Sequence, residues 1–92
     1  MIKHVEGVND KHSVFLYTLS TCVWCKKTKQ SLLDMGIKYS YIDVDLLEGA
    51  KQDEVMSEIS AVNPQRGFPT IVIDKTKTIV GYQPEEIKKI LG

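Results

Sequence analysis

The sequence has little of several features, and each shortage excludes a class of protein. Its longest unbroken apolar run is the four residues from Val14 to Tyr17, too short for a membrane span or a signal-peptide core. Twelve basic residues balance twelve acidic ones, so we expect neither nucleic acid nor an anionic membrane as a partner. At 92 residues, the chain is long enough for one domain that buries its own core. We therefore expect a monomeric cytoplasmic protein.

Cysteine is also scarce, and both cysteines lie in the segment Cys22-Val23-Trp24-Cys25. The apolar run before it and the helical spacing after it place this C-x-x-C where a strand is followed by a helix, as in thioredoxin-like redox motifs. The first residues of a helix see about half a unit of positive charge, which favours thiolate at Cys22. Cys25 falls one turn later on the same face, within reach for a disulfide. The motif therefore predicts a redox pair with Cys22 as the nucleophile.

Two other interpretations of the C-x-x-C motif remain open. A structural disulfide would close so short a loop that it removes only about 2 kcal/mol of unfolded-chain entropy. Half of a zinc site would need His4 and His12 to complete a tetrahedral set. Both histidines lie in the polar stretch before the first strand, and their spacing does not match the usual zinc-finger pattern. We expect them to be surface residues, and we expect no metal.

Hydrophobic periods divide the chain into an N-terminal extension, residues 1–12, and one domain, residues 13–92. The domain begins with a buried strand over residues 13–19, and the helix after it ends at Gly36. A strand, a helix and a strand of these lengths make a right-handed crossover with parallel strands. The pattern then predicts a strand over 37–44 and a helix with the apolar stripe Val55, Ile59 and Val62. A hairpin follows, with strands over 70–73 and 78–81. The last helix starts at Pro84 and packs Ile87, Ile90 and Leu91 against the sheet. In the first helix, Leu32 and Leu33 extend the face of Cys25. The order is β-α-β-α-β-β-α, an α/β fold.

This order of elements, the CVWC motif and the segment Arg66-Gly67-Phe68-Pro69-Thr70 resemble the glutaredoxin branch of the thioredoxin superfamily over about eighty residues. The resemblance implies a thioredoxin fold, with a central four-stranded mixed sheet flanked by three helices. It also implies that the bond before Pro69 is cis and that Pro69 faces the cysteine pair across a groove. The backbone of Phe68 would then pair with an extended substrate segment beside Cys22.

Two regions differ from the glutaredoxins that use glutathione. Those proteins carry a basic residue three positions before the first cysteine, where this chain has Leu19, and a Gly-Gly turn followed by Asp near the last helix. Here the second region reads Gly81-Tyr82-Gln83-Pro84-Glu85. That string resembles the Gly-Phe-Arg-Pro-Asp segment of NrdH-type redoxins, which reduce ribonucleotide reductase and are recharged by a thioredoxin-reductase-type enzyme. Gln83 and the CVWC core differ from the common forms of that type.

The resemblance implies a dithiol–disulfide oxidoreductase that reduces protein disulfides, with ribonucleotide reductase as one candidate substrate. A flavin or iron–sulfur disulfide reductase would supply the electrons. Cys22 would attack the substrate and Cys25 would release it, with no cofactor in the cycle. Three alternatives remain: a glutathione-dependent glutaredoxin, a [2Fe–2S] scaffold in which two chains each supply Cys22, and a structural or interaction domain with an incidental C-x-x-C.

Aromatic residues near the motif are the candidates for partner binding. Trp24 is either a packing residue or part of an exposed apolar rim around Cys22. We expect the rim, because Trp24 lies within the motif that must reach a substrate and because Trp is enriched at interface hot spots. Tyr82 is expected in the same rim, whereas Tyr39 and Tyr41 are expected to pack in a strand.

Overall fold

The computed structural model describes residues 2–65 and 67–92. Arg66, which belongs to the segment that carries the family resemblance, therefore lies outside the described residues. The helices and strands follow in chain order: β1 Lys3–Val5, β2 Val14–Thr18, α1 Val23–Asp34, β3 Tyr39–Asp43, a 3₁₀ turn Val44–Leu46, α2 Gly49–Val62, β4 Thr70–Ile73, β5 Lys77–Val80 and α3 Pro84–Leu91.

The strands form one mixed sheet in the order β1-β3-β2-β4-β5. Strands β2 and β3 are parallel, and every other neighbouring pair is antiparallel. The thioredoxin-like α/β fold is confirmed. The expected count of four strands is wrong, because residues 3–5 of the N-terminal extension add a fifth strand beside β3. This strand has three residues and one apolar side chain, so its hydrophobic pattern is too short to detect.

Backbone contacts tie the chain after β1 to the loop after α1. The Asn9 N–H donates to the Gly36 carbonyl at 2.8 Å, and the Lys38 N–H donates to the Asn9 carbonyl at 2.9 Å. Gly7 lies so close to this loop that a Cβ there would sit 2.5 Å from the Gly36 oxygen. Gly36 itself has φ +68°, a conformation that glycine adopts without strain, and it follows the end of α1 as expected.

The two faces of the sheet carry different helices. On β2, Val14 and Leu16 point into a core that also contains residues of α1 and α3. Phe15 and Tyr17 point to the other face and pack against a second core that contains Val55 and Ile59 of α2. Because these two aromatic residues stay partly exposed, β2 is not buried on both faces as its composition suggests. Helices α1 and α3 thus cover one face and α2 covers the other.

Most of the expected core residues are buried, with two exceptions. Leu32 is buried, but Leu33 is 53% exposed, because it lies about 100° around the α1 axis from its neighbour. Val62 is 39% exposed, because it is the last residue of α2 before the helix ends at Asn63. The others are placed as expected: Val55, Ile59, Ile87, Leu91 and Tyr39 are buried, and Tyr41 and Ile90 pack against the core from partly buried positions.

In the described part of the chain, no helix has the length and apolar character needed to cross a membrane.

Candidate active site

Cys22 lies at the N-cap of α1, immediately before the first helical residue. Its backbone is extended, with φ −84° and ψ 119°, and its Sγ accepts a hydrogen bond from the Cys25 N–H at 3.2 Å. The first turn of α1 contains no acidic residue. The Cys22 sulfur thus accepts a hydrogen bond from a free N–H group of the first turn and lies at the positive end of the helix dipole.

Cys25 differs sharply from Cys22 in its surroundings. Cys22 is partly accessible, whereas Cys25 is fully buried, with 0% of its surface exposed. Burial raises the pKa of the Cys25 thiol to about 12, and the side-chain hydrogen bond with Cys22 acts in the same direction. Both cysteines are free thiols in this structure. The site therefore presents one accessible sulfur and keeps the other protonated behind it.

Trp24 and Tyr82 form an aromatic surface that we call the Trp24–Tyr82 rim. Trp24 is 54% exposed, and its ring stacks on that of Tyr82 with a centroid separation of 5.8 Å and an interplanar angle of 23°. The Lys27 ammonium lies 4.9 Å from the Trp24 ring centroid. Tyr82 precedes α3, and its hydroxyl lies 3.4 Å from Ser31 Oγ on α1. Trp24 is therefore exposed and in contact with Tyr82, while a rim around Cys22 that docks partners stays a prediction.

The segment before β4 has the backbone that the family resemblance implies. The Phe68–Pro69 bond is cis. Pro69 is buried, and its carbonyl accepts a hydrogen bond from the Gly81 N–H at 2.8 Å. Phe68 is partly buried against the core on the α2 face. The pairing of Phe68 with a substrate backbone stays a prediction.

Two aspartates that the sequence reasoning missed lie beside the site. Asp45 accepts hydrogen bonds from the backbone N–H and the hydroxyl of Ser20, at 2.8 and 2.5 Å, and so holds the loop that leads to Cys22. Asp43 pairs with Lys29 at 3.3 Å. A signal was available, because Asp43 is the last residue of β3 and Asp45 follows it, and β3 is parallel to β2. The carboxyl ends of parallel strands meet at one edge of the sheet.

The residues of the zinc interpretation do not come together. His4 contacts Ser40, and His12 contacts Asp74, each at 2.7 Å. Across residues 2–65 and 67–92, no group of three or more His, Cys, Asp or Glu side chains is arranged to hold a metal ion.

Leu19, which stands where glutathione-using glutaredoxins have a basic residue, packs, partly buried, against the core on the α2 face.

Comparisons with known proteins agree with this geometry. The glutaredoxin family model matches residues 14–77. The crystal structure of a glutaredoxin from Methanosarcina mazei is 47% identical, with a TM-score of 0.88 over 99% of this chain and 87% of that one. Methanoredoxin from Methanosarcina acetivorans is 42% identical, also with a TM-score of 0.88, over 94% of this chain and 90% of that one. A glutaredoxin-like 8.6 kDa protein in a rubredoxin operon of Clostridium pasteurianum is 38% identical over 83% of this chain and 93% of its own length.

The expected likeness to NrdH-type redoxins is seen at the level of the fold. Escherichia coli NrdH-redoxin has a TM-score of 0.63 and 24% identity, over 85% of this chain and 93% of that one. At that identity the likeness concerns the thioredoxin-like fold alone. The family model covers most of the chain, and relatives that exceed 30% identity cover 83–99% of it. The chain belongs to the glutaredoxin family, within the thioredoxin superfamily.

Proposed function

We propose that this chain reduces disulfides of other proteins through Cys22 and Cys25. Glutaredoxins are in general thiol–disulfide oxidoreductases, and one observation supports a two-cysteine cycle here. Cys22 is accessible at a helix N-terminus, while Cys25, 0% exposed, lies behind it and donates its backbone N–H to the Cys22 sulfur. An accessible nucleophile with a shielded partner is the arrangement that a sequential attack and release requires.

The proposed cycle has two steps. In the first, the Cys22 thiolate attacks one sulfur of the substrate disulfide, a Cys22–substrate disulfide forms, and the other substrate sulfur leaves as a thiolate. In the second, Cys25 gives its proton to solvent and attacks the Cys22 sulfur. The Cys22–Cys25 disulfide forms and the second substrate sulfur leaves. Two electrons thus pass from the dithiol to the substrate, and no cofactor is required.

Protein substrates are proposed on the basis of the surface around Cys22. Val23 and Trp24 are 61% and 54% exposed, and the Trp24–Tyr82 rim extends this surface onto the segment before α3. A broad aromatic surface gains affinity by burying area against a partner, without a dedicated charge pocket. Phe68 would add backbone pairing beside Cys22. A ribonucleotide reductase is one proposed substrate, on the resemblance of residues 81–85 to the NrdH-type segment.

A protein disulfide reductase, containing flavin or an iron–sulfur cluster, is the proposed electron donor. Glutathione is a small anion, and a cation three positions before Cys22 would help to hold it. This chain has Leu19 there, packed against the core on the α2 face. The reductase instead can use the same exposed rim as the substrates.

Two coupled assays on the oxidised protein distinguish the electron donors. One supplies a purified flavin or iron–sulfur disulfide reductase, and the other supplies glutathione with hydroxyethyl disulfide. We expect efficient turnover with a reductase and weak turnover with glutathione, and Cys22→Ser, which lacks the nucleophile, provides the blank for both assays.

Saturable glutathione-dependent turnover would overturn the proposed donor and support the glutathione-dependent alternative. A visible absorption band after anaerobic reconstitution with iron and sulfide would support the [2Fe–2S] alternative. Failure to reduce insulin disulfides with dithiothreitol present would support the structural alternative.

A further inference from the structure

A half-buried ion pair beside the cysteines has no part in the cycle described so far. The Lys29 ammonium lies 3.3 Å from Asp43 Oδ1, and the two side chains are only 21% and 14% exposed. Thr18, which is fully buried, donates its hydroxyl hydrogen bond to the same Asp43 oxygen at 2.6 Å. The ammonium also lies 3.9 Å from the Tyr41 ring centroid. These contacts hold a flexible lysine side chain in one place.

Lys29 lies about one helical turn from Cys25. Lys29 follows Cys25 by four residues on α1, so the two residues are neighbours on one side of the helix. Long helical side chains lean back over the preceding turn, which here is the turn of Cys25. Consistent with this, burial has the largest effect and raises the pKa of Cys25, while a hydrogen bond with the Leu19 backbone and, to a smaller extent, the charge of Lys29 lower it. The charged and titratable groups around Cys25 are thus Cys22 and Lys29 on α1, with Asp43 of β3 behind Lys29.

The electrostatic effect of these groups on Cys25 changes during the cycle. In the reduced protein, both the negative charge on Cys22 and its hydrogen bond oppose ionisation of Cys25. In the Cys22–substrate disulfide, Cys22 carries no charge and that opposition is gone. Lys29 is then the nearby charge that acts on Cys25, at the moment when Cys25 must become a nucleophile.

Resting on the proposed function, we propose that Lys29, held in place by Asp43, is an electrostatic positioning residue for the second step of the cycle. Its ammonium stabilises the Cys25 thiolate that forms when Cys25 loses its proton, and this thiolate then attacks the Cys22 sulfur. The Cys22–Cys25 bond forms, the bond from Cys22 to the substrate breaks, and the Cys25 proton goes to solvent. The first step, which uses Cys22, does not depend on Lys29 in this way.

The size of the expected effect follows from thiol chemistry. Removing a cation close to a thiol lowers its thiolate fraction by about tenfold. The remaining thiolate is more basic and more nucleophilic, and with a Brønsted coefficient of about 0.4–0.5 it recovers about threefold of that loss. The second step should therefore slow about threefold at neutral pH.

Ellman's reagent separates the two steps in a stopped-flow experiment. Cys22 attacks the reagent and releases one coloured thiolate at a rate that depends on reagent concentration. Cys25 then releases the second coloured thiolate at a rate that does not. Lys29→Met should slow the second phase about threefold across the pH range below the Cys25 pKa. Lys29→Arg should restore it, and Lys26→Met, which removes an exposed cation from the same helix, should leave it unchanged.

Lys29→Met leaves the half-buried Asp43 without its ion pair and is expected to lower stability. The double variant Lys29→Met/Asp43→Asn removes that unpaired charge and should fold while still showing the slow second phase. A wild-type second phase in a folded Lys29 variant would overturn the inference. Absence of any second phase in the wild type would instead overturn the proposed function, so the two failures are distinguishable.

Discussion

Replacing Trp24 with alanine tests whether the Trp24–Tyr82 rim docks proteins. An aromatic side chain buries about 150–250 Å² when it is fully covered. Because 54% of Trp24 is exposed in the free protein, a docked partner can cover roughly 100 Å² more. At about 25 cal/mol per Å², that area corresponds to an upper limit of about 2.5 kcal/mol of docking free energy. The kcat/KM for a protein disulfide should therefore fall by up to about seventyfold.

Assays with two substrates separate docking from chemistry. Reduction of a protein disulfide should be strongly impaired in Trp24→Ala, whereas reduction of a small disulfide should change by less than about twofold, since it covers little of the rim. Leu33→Ala is the matched control, because Leu33 is 53% exposed on the same helix but near its other end. Urea denaturation should show a loss of only about 0.5–1.5 kcal/mol for the stacking on Tyr82. An equal loss of activity on both substrates, or in both variants, would refute the docking role.

Two further predictions concern the cysteines. Cys22→Ser should abolish reduction, while Cys25→Ser should accumulate a mixed disulfide with substrate, visible by non-reducing electrophoresis; faster alkylation of Cys25 than of Cys22 at about pH 6 would contradict these roles. The free energy of unfolding of the reduced protein should also fall as pH rises above about 9, because the Cys25 pKa is raised from 9.0 to about 12 in the folded state and only the unfolded chain then loses the proton. In urea titrations between about pH 9 and 12, the free energy of unfolding of the wild type should fall by up to about 1.4 kcal/mol per pH unit more than that of Cys25→Ala. The effect would be disproved if the free energies of unfolding of the two proteins changed in parallel with pH.

Most of the fold could be predicted because its signals are local. Gly36 and Pro84 mark a helix end and a helix start through backbone preferences that act within a few residues. The alternation of buried and more exposed side chains along the strands is equally local. Strand β1 could not be predicted, because it forms by pairing with the open edge of β3, and that edge is a feature of the tertiary structure. Leu33 was placed wrongly because a run of two leucines fits a helical stripe at either position.

In the candidate site, too, local features could be predicted from the sequence and contacts between distant residues could not. A short motif and its position before a helix predict Cys22 and Cys25, since the helix terminus supplies the relevant field. The contact between Trp24 and Tyr82 joins residues far apart in sequence and needed the structure. The pairing of Lys29 with Asp43 likewise depends on how α1 lies against β3. Pairings across elements are set by packing, and a single sequence carries no direct record of them.

The two outer strands of the sheet bear on how partners can approach. Strands β1 and β5 are three and four residues long, and they expose Lys3 and His4 on one side and Lys77 on the other. Short edge strands with charged side chains disfavour pairing with another chain. An extended peptide therefore finds no long free edge on the described sheet, whereas the proposed pairing uses the backbone of Phe68 in the loop before β4. Preference among partners could then change through this loop while the sheet that carries it stays the same.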